Sequence, residues 1–120
     1  MAENKHVDLT YLRGISMDDD AMVLELIDLF LEKAPEMLNN IESSYQEKDW
    51  DKMASEIHRF KPNLDYMGMA TTKELIEEIE TDAKNQENLE TFGERFKKVK
   101  QRCLHAYEFL KEERSNLKKS

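Results

Sequence analysis

His58-Arg59-Phe60-Lys61-Pro62-Asn63-Leu64-Asp65-Tyr66-Met67-Gly68 closes a pattern that begins at Trp50. Apolar residues fall at Trp50, Met53, Ile57, Phe60, Leu64 and Met67, in steps of three, four, three, four and three. That spacing is the stripe of an amphipathic helix. At about 100° per residue, His58 lies roughly 130° from the middle of the stripe. Its imidazole therefore faces water or a partner. Lys61 follows one turn later, close enough for its ammonium to reach an anion held on the ring.

The same periodicity extends in both directions. Upstream, Val23, Leu26, Ile27, Phe30, Ala34, Met37, Leu38, Ile41 and Tyr45 recur at three- and four-residue steps from a start near Asp18. Asp18, Asp19 and Asp20 favour that start through the helix dipole. Pro35 removes a backbone hydrogen bond inside this helix, so a kink or a restart is expected there. A short first helix is expected over Leu9 to Arg13, with Asp8 as N-cap and Gly14 as the C′ residue. The His58 helix follows a turn near Lys48, with Asp49 as N-cap. Gly68 ends it or lets a neighbour approach closely.

Downstream, Thr71 and Glu74 match a capping box, with Ala70 and Leu75 as its staple. The stripe there is Leu75, Ile76, Ile79 and Ala83. A polar connection, Lys84-Asn85-Gln86-Glu87, leads to a last helix carrying Leu89, Phe92, Phe96, Val99, Cys103, Ala106 and Leu110. Gly93 within it costs about 1 kcal/mol relative to alanine, which asks for a packing reason.

With three glycines, two prolines and no alternating β-branched run, the chain reads as all-α. Four stripes joined by short turns imply an antiparallel up-and-down four-helix bundle. The short extra N-terminal helix would cap one end or lie beside the second helix. The 120 residues suit one domain spanning 1–120, with a core over about residues 9–117.

Charge and composition narrow the function classes. The formal net charge is -8, yet residues 95–120 carry nine Lys/Arg against three Glu. A basic helix can mean nucleic acid. Here it is read as a complement to acidic neighbours, because the overall field repels a polyanion. No apolar run is long enough to cross a membrane. Glu3, Lys5, His6 and Asp8 interrupt any apolar segment near the start, so no signal peptide is expected. One cysteine, Cys103, rules out an internal disulfide and sits on the last apolar stripe as a core residue. A cytoplasmic monomer is the default expectation.

A neutral imidazole is a good nucleophile, and imidazole as a class is largely neutral near pH 7. It can hold a phosphoryl group on one ring nitrogen as a reactive phosphoramidate. Such a carrier needs an exposed, uncrowded ring and nearby positive charge. Asp51, Ala54, Ser55, Lys61, Pro62 and Asp65 share the His58 side of the helix. Ala54 and Ser55 are small and leave room for another protein's active site. Pro62 places a rigid apolar surface beside the ring, and Asp65 is positioned to pair with Lys61. His6 and His105 have no comparable surroundings.

Rival chemistries fit less well. A ferritin-like metal site needs Glu-x-x-His pairs, but Ser55 and Arg102 stand three residues before His58 and His105. No metal site is therefore expected. A histidine kinase needs an ATP-binding domain for which the chain has no room. A non-phosphorylated adaptor bundle that binds signalling proteins is the remaining alternative.

His58-x-x-Lys61-Pro62-x-x-x-x-x-Gly68 resembles the signature of histidine-containing phosphotransfer (HPt) domains of bacterial two-component phosphorelays. The resemblance extends to Phe30-Leu31-Glu32-Lys33-Ala34-Pro35 and to Asp49-Trp50, over roughly residues 9–110. Asn63 stands where a serine is usual. The resemblance implies a four-helix bundle that shuttles phosphate between receiver domains of hybrid histidine kinases and response regulators. It implies His58 as phosphoacceptor, Lys61 as phosphate-stabilising residue and Gly68 as structural. A docking surface would include Asp51, Ala54, Ser55, Pro62 and Asp65, with an apolar part of the first two helices. It implies no cofactor of the carrier's own, with Mg²⁺ supplied by the partner receiver domain, and no kinase activity.

Overall fold

The computed structural model describes residues 7–119, so Glu3, Lys5 and His6 lie outside the described residues, as does the side chain of Lys119. Five helices follow in order: α1 (Thr10–Ile15), α2 (Asp20–Gln46), α3 (Trp50–Tyr66), α4 (Ala70–Asn85) and α5 (Phe92–Lys119). A 3₁₀ turn, Leu89–Thr91, precedes α5. Each of α2 to α5 packs on the next, and α5 packs back on α2. That closed ring is the antiparallel four-helix bundle anticipated from the four stripes.

The apolar stripes become the core. Val23, Ile27, Phe30, Ala34, Leu38 and Ile41 of α2 meet Met53, Ile57, Phe60 and Leu64 of α3, with Ile76, Ile79 and Ala83 from α4. From α5 come Phe92, Phe96, Val99, Cys103, Ala106 and Leu110. Burial raises the Cys103 thiol to about 12, as suits a core residue. At one end Tyr45 stacks on Phe92, with ring centroids 4.0 Å apart, and its hydroxyl donates to the Leu89 carbonyl at 3.1 Å. This ties the α2 C-terminus to the start of α5.

Several local expectations change. Gly14 lies inside α1 and is not left-handed; Met17 and Asp18 take positive φ instead. The N-cap of α1 is Leu9 and not Asp8, although the Asp8 carboxylate, one residue earlier, accepts from Thr10 N–H at 2.9 Å. The Asp19 carboxylate caps α2, accepting from Ala21 N–H at 3.0 Å. α2 runs through Pro35 without a restart. α4 begins at Ala70 with no side-chain cap, so the Thr71/Glu74 capping box is not formed. The tight α3–α4 turn starts the helix before Thr71 can occupy the cap. Leu89 belongs to the 3₁₀ turn and not to α5, and Lys84 belongs to the last turn of α4. A Cβ on Gly93 would meet nothing within 4 Å, so packing does not explain that glycine.

Gly68 is different. Its φ is +61°, and an added Cβ would fall 2.0 Å from the Asp8 carbonyl oxygen. Asp8 N–H donates to the Met67 carbonyl at 3.1 Å. The strand of chain leading into α1 therefore crosses directly over the α3–α4 turn. α1 packs at that end of α3, with Tyr11 and Tyr66 ring centroids 6.3 Å apart.

Candidate functional site

Asp49 sets the start of α3, its carboxylate accepting from Lys52 N–H at 3.1 Å. With the helix phase anchored there and Ile57, Phe60 and Leu64 buried, His58 is forced outward; its side chain is 73% exposed. One edge of the ring is turned toward α4. Nδ1 lies 3.5 Å from Glu80 Oε2, longer than an ordinary hydrogen bond.

Glu80 is the centre of the site. Its side chain is only 6% exposed and meets three cationic or ionisable neighbours. Lys61 Nζ donates to Oε1 at 2.8 Å, and Lys84 Nζ stands 3.7 Å from Oε2. Oε2 is buried with no hydrogen-bond partner among the described residues. Burial pushes the Glu80 carboxyl up. The Lys61 hydrogen bond, then the charges of Lys61, Lys84 and His58, outweigh it and hold the group below its ordinary value. Lys61 also meets Glu77 Oε2 at 3.5 Å. Its ammonium is raised above its ordinary range, chiefly by the hydrogen bond to Glu80.

Beside the imidazole is an open depression of about 590 Å³, lined by Asp51, Ala54, Ser55, His58, Arg59, Glu80 and Lys84. Arg59 is held across one turn by Glu56. Of the residues expected around His58, Asp51, Ala54 and Ser55 line this depression, although Ala54 itself is buried. Pro62 is exposed on the same helix beyond it. Asp65 does not reach Lys61. Its carboxylate pairs with Lys73 at 2.9 Å, because Glu80 and Glu77 already engage Lys61. Asn63 turns inward, donating to the Phe60 carbonyl at 3.2 Å and touching Met37 Sδ at 3.5 Å.

Glu80 and Lys84 were missed from sequence. A signal was present for the first: Thr72, Ile76, Glu80 and Ala83 step by four, four and three along the buried face of α4. A carboxylate on an apolar stripe needs a partner. Lys84 opens a polar run that reads as a connection, although it lies in the last turn of α4.

Elsewhere the surface divides by character. Tyr11, Ile15, Met17, Met22, Leu29 and Tyr66 are exposed apolar residues on α1, the α1–α2 turn, α2 and the end of α3. The basic α5 meets acidic neighbours: Arg95 pairs with Asp82 at 2.7 Å, Lys100 with Glu42 at 3.3 Å and Arg114 with Asp28 at 3.2 Å. His105 is exposed on α5. Among the described residues, no helix is long and apolar enough to cross a membrane.

Comparison with known proteins agrees with this architecture. The profile of the Hpt domain family matches residues 25–113. The fold is similar to the crystal structure of histidine-containing phosphotransfer protein B (HptB) from Pseudomonas aeruginosa PAO1. The TM-score is 0.85 at 19% sequence identity, over 95% of this chain and 98% of that one. No curated protein matches the sequence.

Proposed function

Because this chain belongs to the Hpt domain family, with a phosphotransfer role in phosphorelays, we propose that it accepts a phosphoryl group on His58 from a receiver-domain aspartate and passes it to a second receiver. The observation that carries this reading is the exposed imidazole with Nδ1 turned to the buried Glu80 carboxylate beside an open depression. Nε2 then points to the incoming partner. Its lone pair attacks phosphorus in line, the P–O bond to the aspartate breaks, and that electron pair stays on the leaving carboxylate. The ring keeps its proton on Nδ1, where Glu80 offsets the positive charge that develops as the N–P bond forms. Lys61 adds positive charge one turn away and holds Glu80 in place. Mg²⁺ held by the partner receiver would supply the charge that offsets the phosphoryl oxygens. The return step reverses these bonds on another receiver.

Docking takes place over the depression and its apolar margin. Asp51, Ala54 and Ser55 line the depression with the ring, and Pro62 and Asp65 lie further along the same helix. Exposed Tyr11, Leu29 and Tyr66 offer apolar area of the kind a protein interface buries. The test is transfer from a phosphorylated receiver domain to the chain, with His58→Ala alongside. Acid-labile phosphate is expected on the wild type and none on the variant, whose fold stays intact because the removed side chain is exposed. An adaptor that only binds would show receiver binding with no label on either protein.

A further inference from the structure

Resting on that reading, we infer that Lys84, not Lys61, is the cation that contacts the phosphoryl group on His58, and that Lys61 acts through Glu80. The two lysines differ in availability. Lys61 is 18% exposed, bonded to Glu80 at 2.8 Å and close to Glu77 at 3.5 Å, and it does not line the depression. Lys84 is 62% exposed and lines the depression together with His58. Among the described residues its ion-pair contact is to Glu80 Oε2, at 3.7 Å, beyond hydrogen-bond reach. The same oxygen faces His58 Nδ1 at 3.5 Å, so the ammonium and the ring approach one atom from two sides.

Charge explains why one lysine must move and the other must not. A phosphoryl group brings about two negative charges near pH 7. Placed on His58, it stands beside the Glu80 carboxylate and is repelled by it. Lys61 stays on Oε1 and keeps that carboxylate neutralised. Lys84, on a flexible four-carbon stem in the last turn of α4, turns from Oε2 to the phosphoryl oxygens. Arg59 also lines the depression, but its guanidinium is engaged by Glu56. The exchange makes and breaks ion pairs only; no proton or covalent bond moves in it.

The test needs no receiver. The full-length chain is treated with phosphoramidate, a small donor that phosphorylates imidazole nitrogen, and followed by ³¹P NMR with removal of the donor to time hydrolysis. The wild type is expected to show a phosphohistidine resonance that His58→Ala lacks. Lys84→Ala should shift that resonance and shorten its half-life by about threefold or more, as loss of one partly exposed ion pair implies. Lys84→Arg should restore the half-life to within about twofold, since the charge is kept. Lys61→Ala should lower the Tm more than Lys84→Ala, because it strips Glu80 of its one short bond. An unchanged resonance and half-life in Lys84→Ala, with the wild type labelled, would overturn the assignment. So would a shortened half-life in Lys61→Ala alone. Absence of label on the wild type would instead remove the phosphocarrier reading and this inference with it.

Discussion

The ion pairs that join α3 to α4 and those that join α2 to α5 are built differently. Around His58, Lys61 and the imidazole of α3 converge on one buried α4 carboxylate, Glu80, and Lys84 of α4 joins them, while Asp65 and Lys73 further along the same seam form a single pair. Between α2 and α5 the pairs are one-to-one and lie at the surface, Glu42 with Lys100 and Asp28 with Arg114. An exposed single pair is screened and gains little. A buried carboxylate with more charged neighbours than hydrogen bonds keeps strong electrostatics and can exchange one partner for another. Convergence, and not the number of ion pairs, therefore distinguishes the surroundings of His58 from the α2–α5 seam.

The comparison can be broken or sharpened by substitutions in each half. The largest effect is expected at the α3–α4 turn. Gly68→Ala forces a side chain into a left-handed position against the Asp8 carbonyl, and should cost about 2–3 kcal/mol in urea unfolding. A neutral outcome would mean that the N-terminal segment does not hold the turn. Next, Glu80→Ala should cost about 1–3 kcal/mol near pH 7 by leaving Lys61 without its main partner. The sign with pH follows from the direction of each shift. Glu80 is held below its ordinary 4.5, so its contribution is present above that pH and is lost as pH falls through the folded value. Lys61 is raised above its ordinary 10.5, so its contribution is present below that pH and is lost as pH rises through the folded value. The gap between wild type and Glu80→Ala should thus close in acid. A constant gap down to pH 2 would assign the loss to packing.

Smaller effects belong to the other half. Gly93→Ala, where a Cβ meets nothing, should raise stability by up to about 1 kcal/mol through helix propensity alone. A loss on that substitution would reveal a constraint at the start of α5. Lys100→Ala should change stability by less than about 0.5 kcal/mol and leave phosphotransfer at wild-type rate. If it instead matched Glu80→Ala in both, the contrast between the two halves would fall.

The fold was legible because its signal is long and redundant. Each of the four long helices repeats its apolar step several times, and Asp49 acts as the cap that local chemistry suggests. Short signals were less dependable. Thr71 and Glu74 have the residues of a capping box, but the chain turn at Gly68 begins α4 earlier and leaves them inside it. Gly14 looked like a helix terminator, yet α1 continues to Ile15. A local motif competes with the tertiary contacts on either side, and at these ends the contacts win.

The site was half legible for the same reason. His58, its outward direction and the small residues before it follow from phase along a single helix, which depends on nothing outside α3. So does the placing of Asp51, Ala54 and Ser55 beside the ring. Which charges meet the ring depends on the rotation and height of α4 against α3. That docking is set by packing of Ile57, Phe60 and Leu64 with Ile76 and Ile79, summed over many weak contacts. No spacing in the chain encodes it directly. It brought Glu80 under His58, gave Lys61 to Glu80 instead of Asp65, and put Lys84 at the edge of the depression. The outward-facing His58 was thus written in one helix, whereas its electrostatic surroundings exist only where two helices meet.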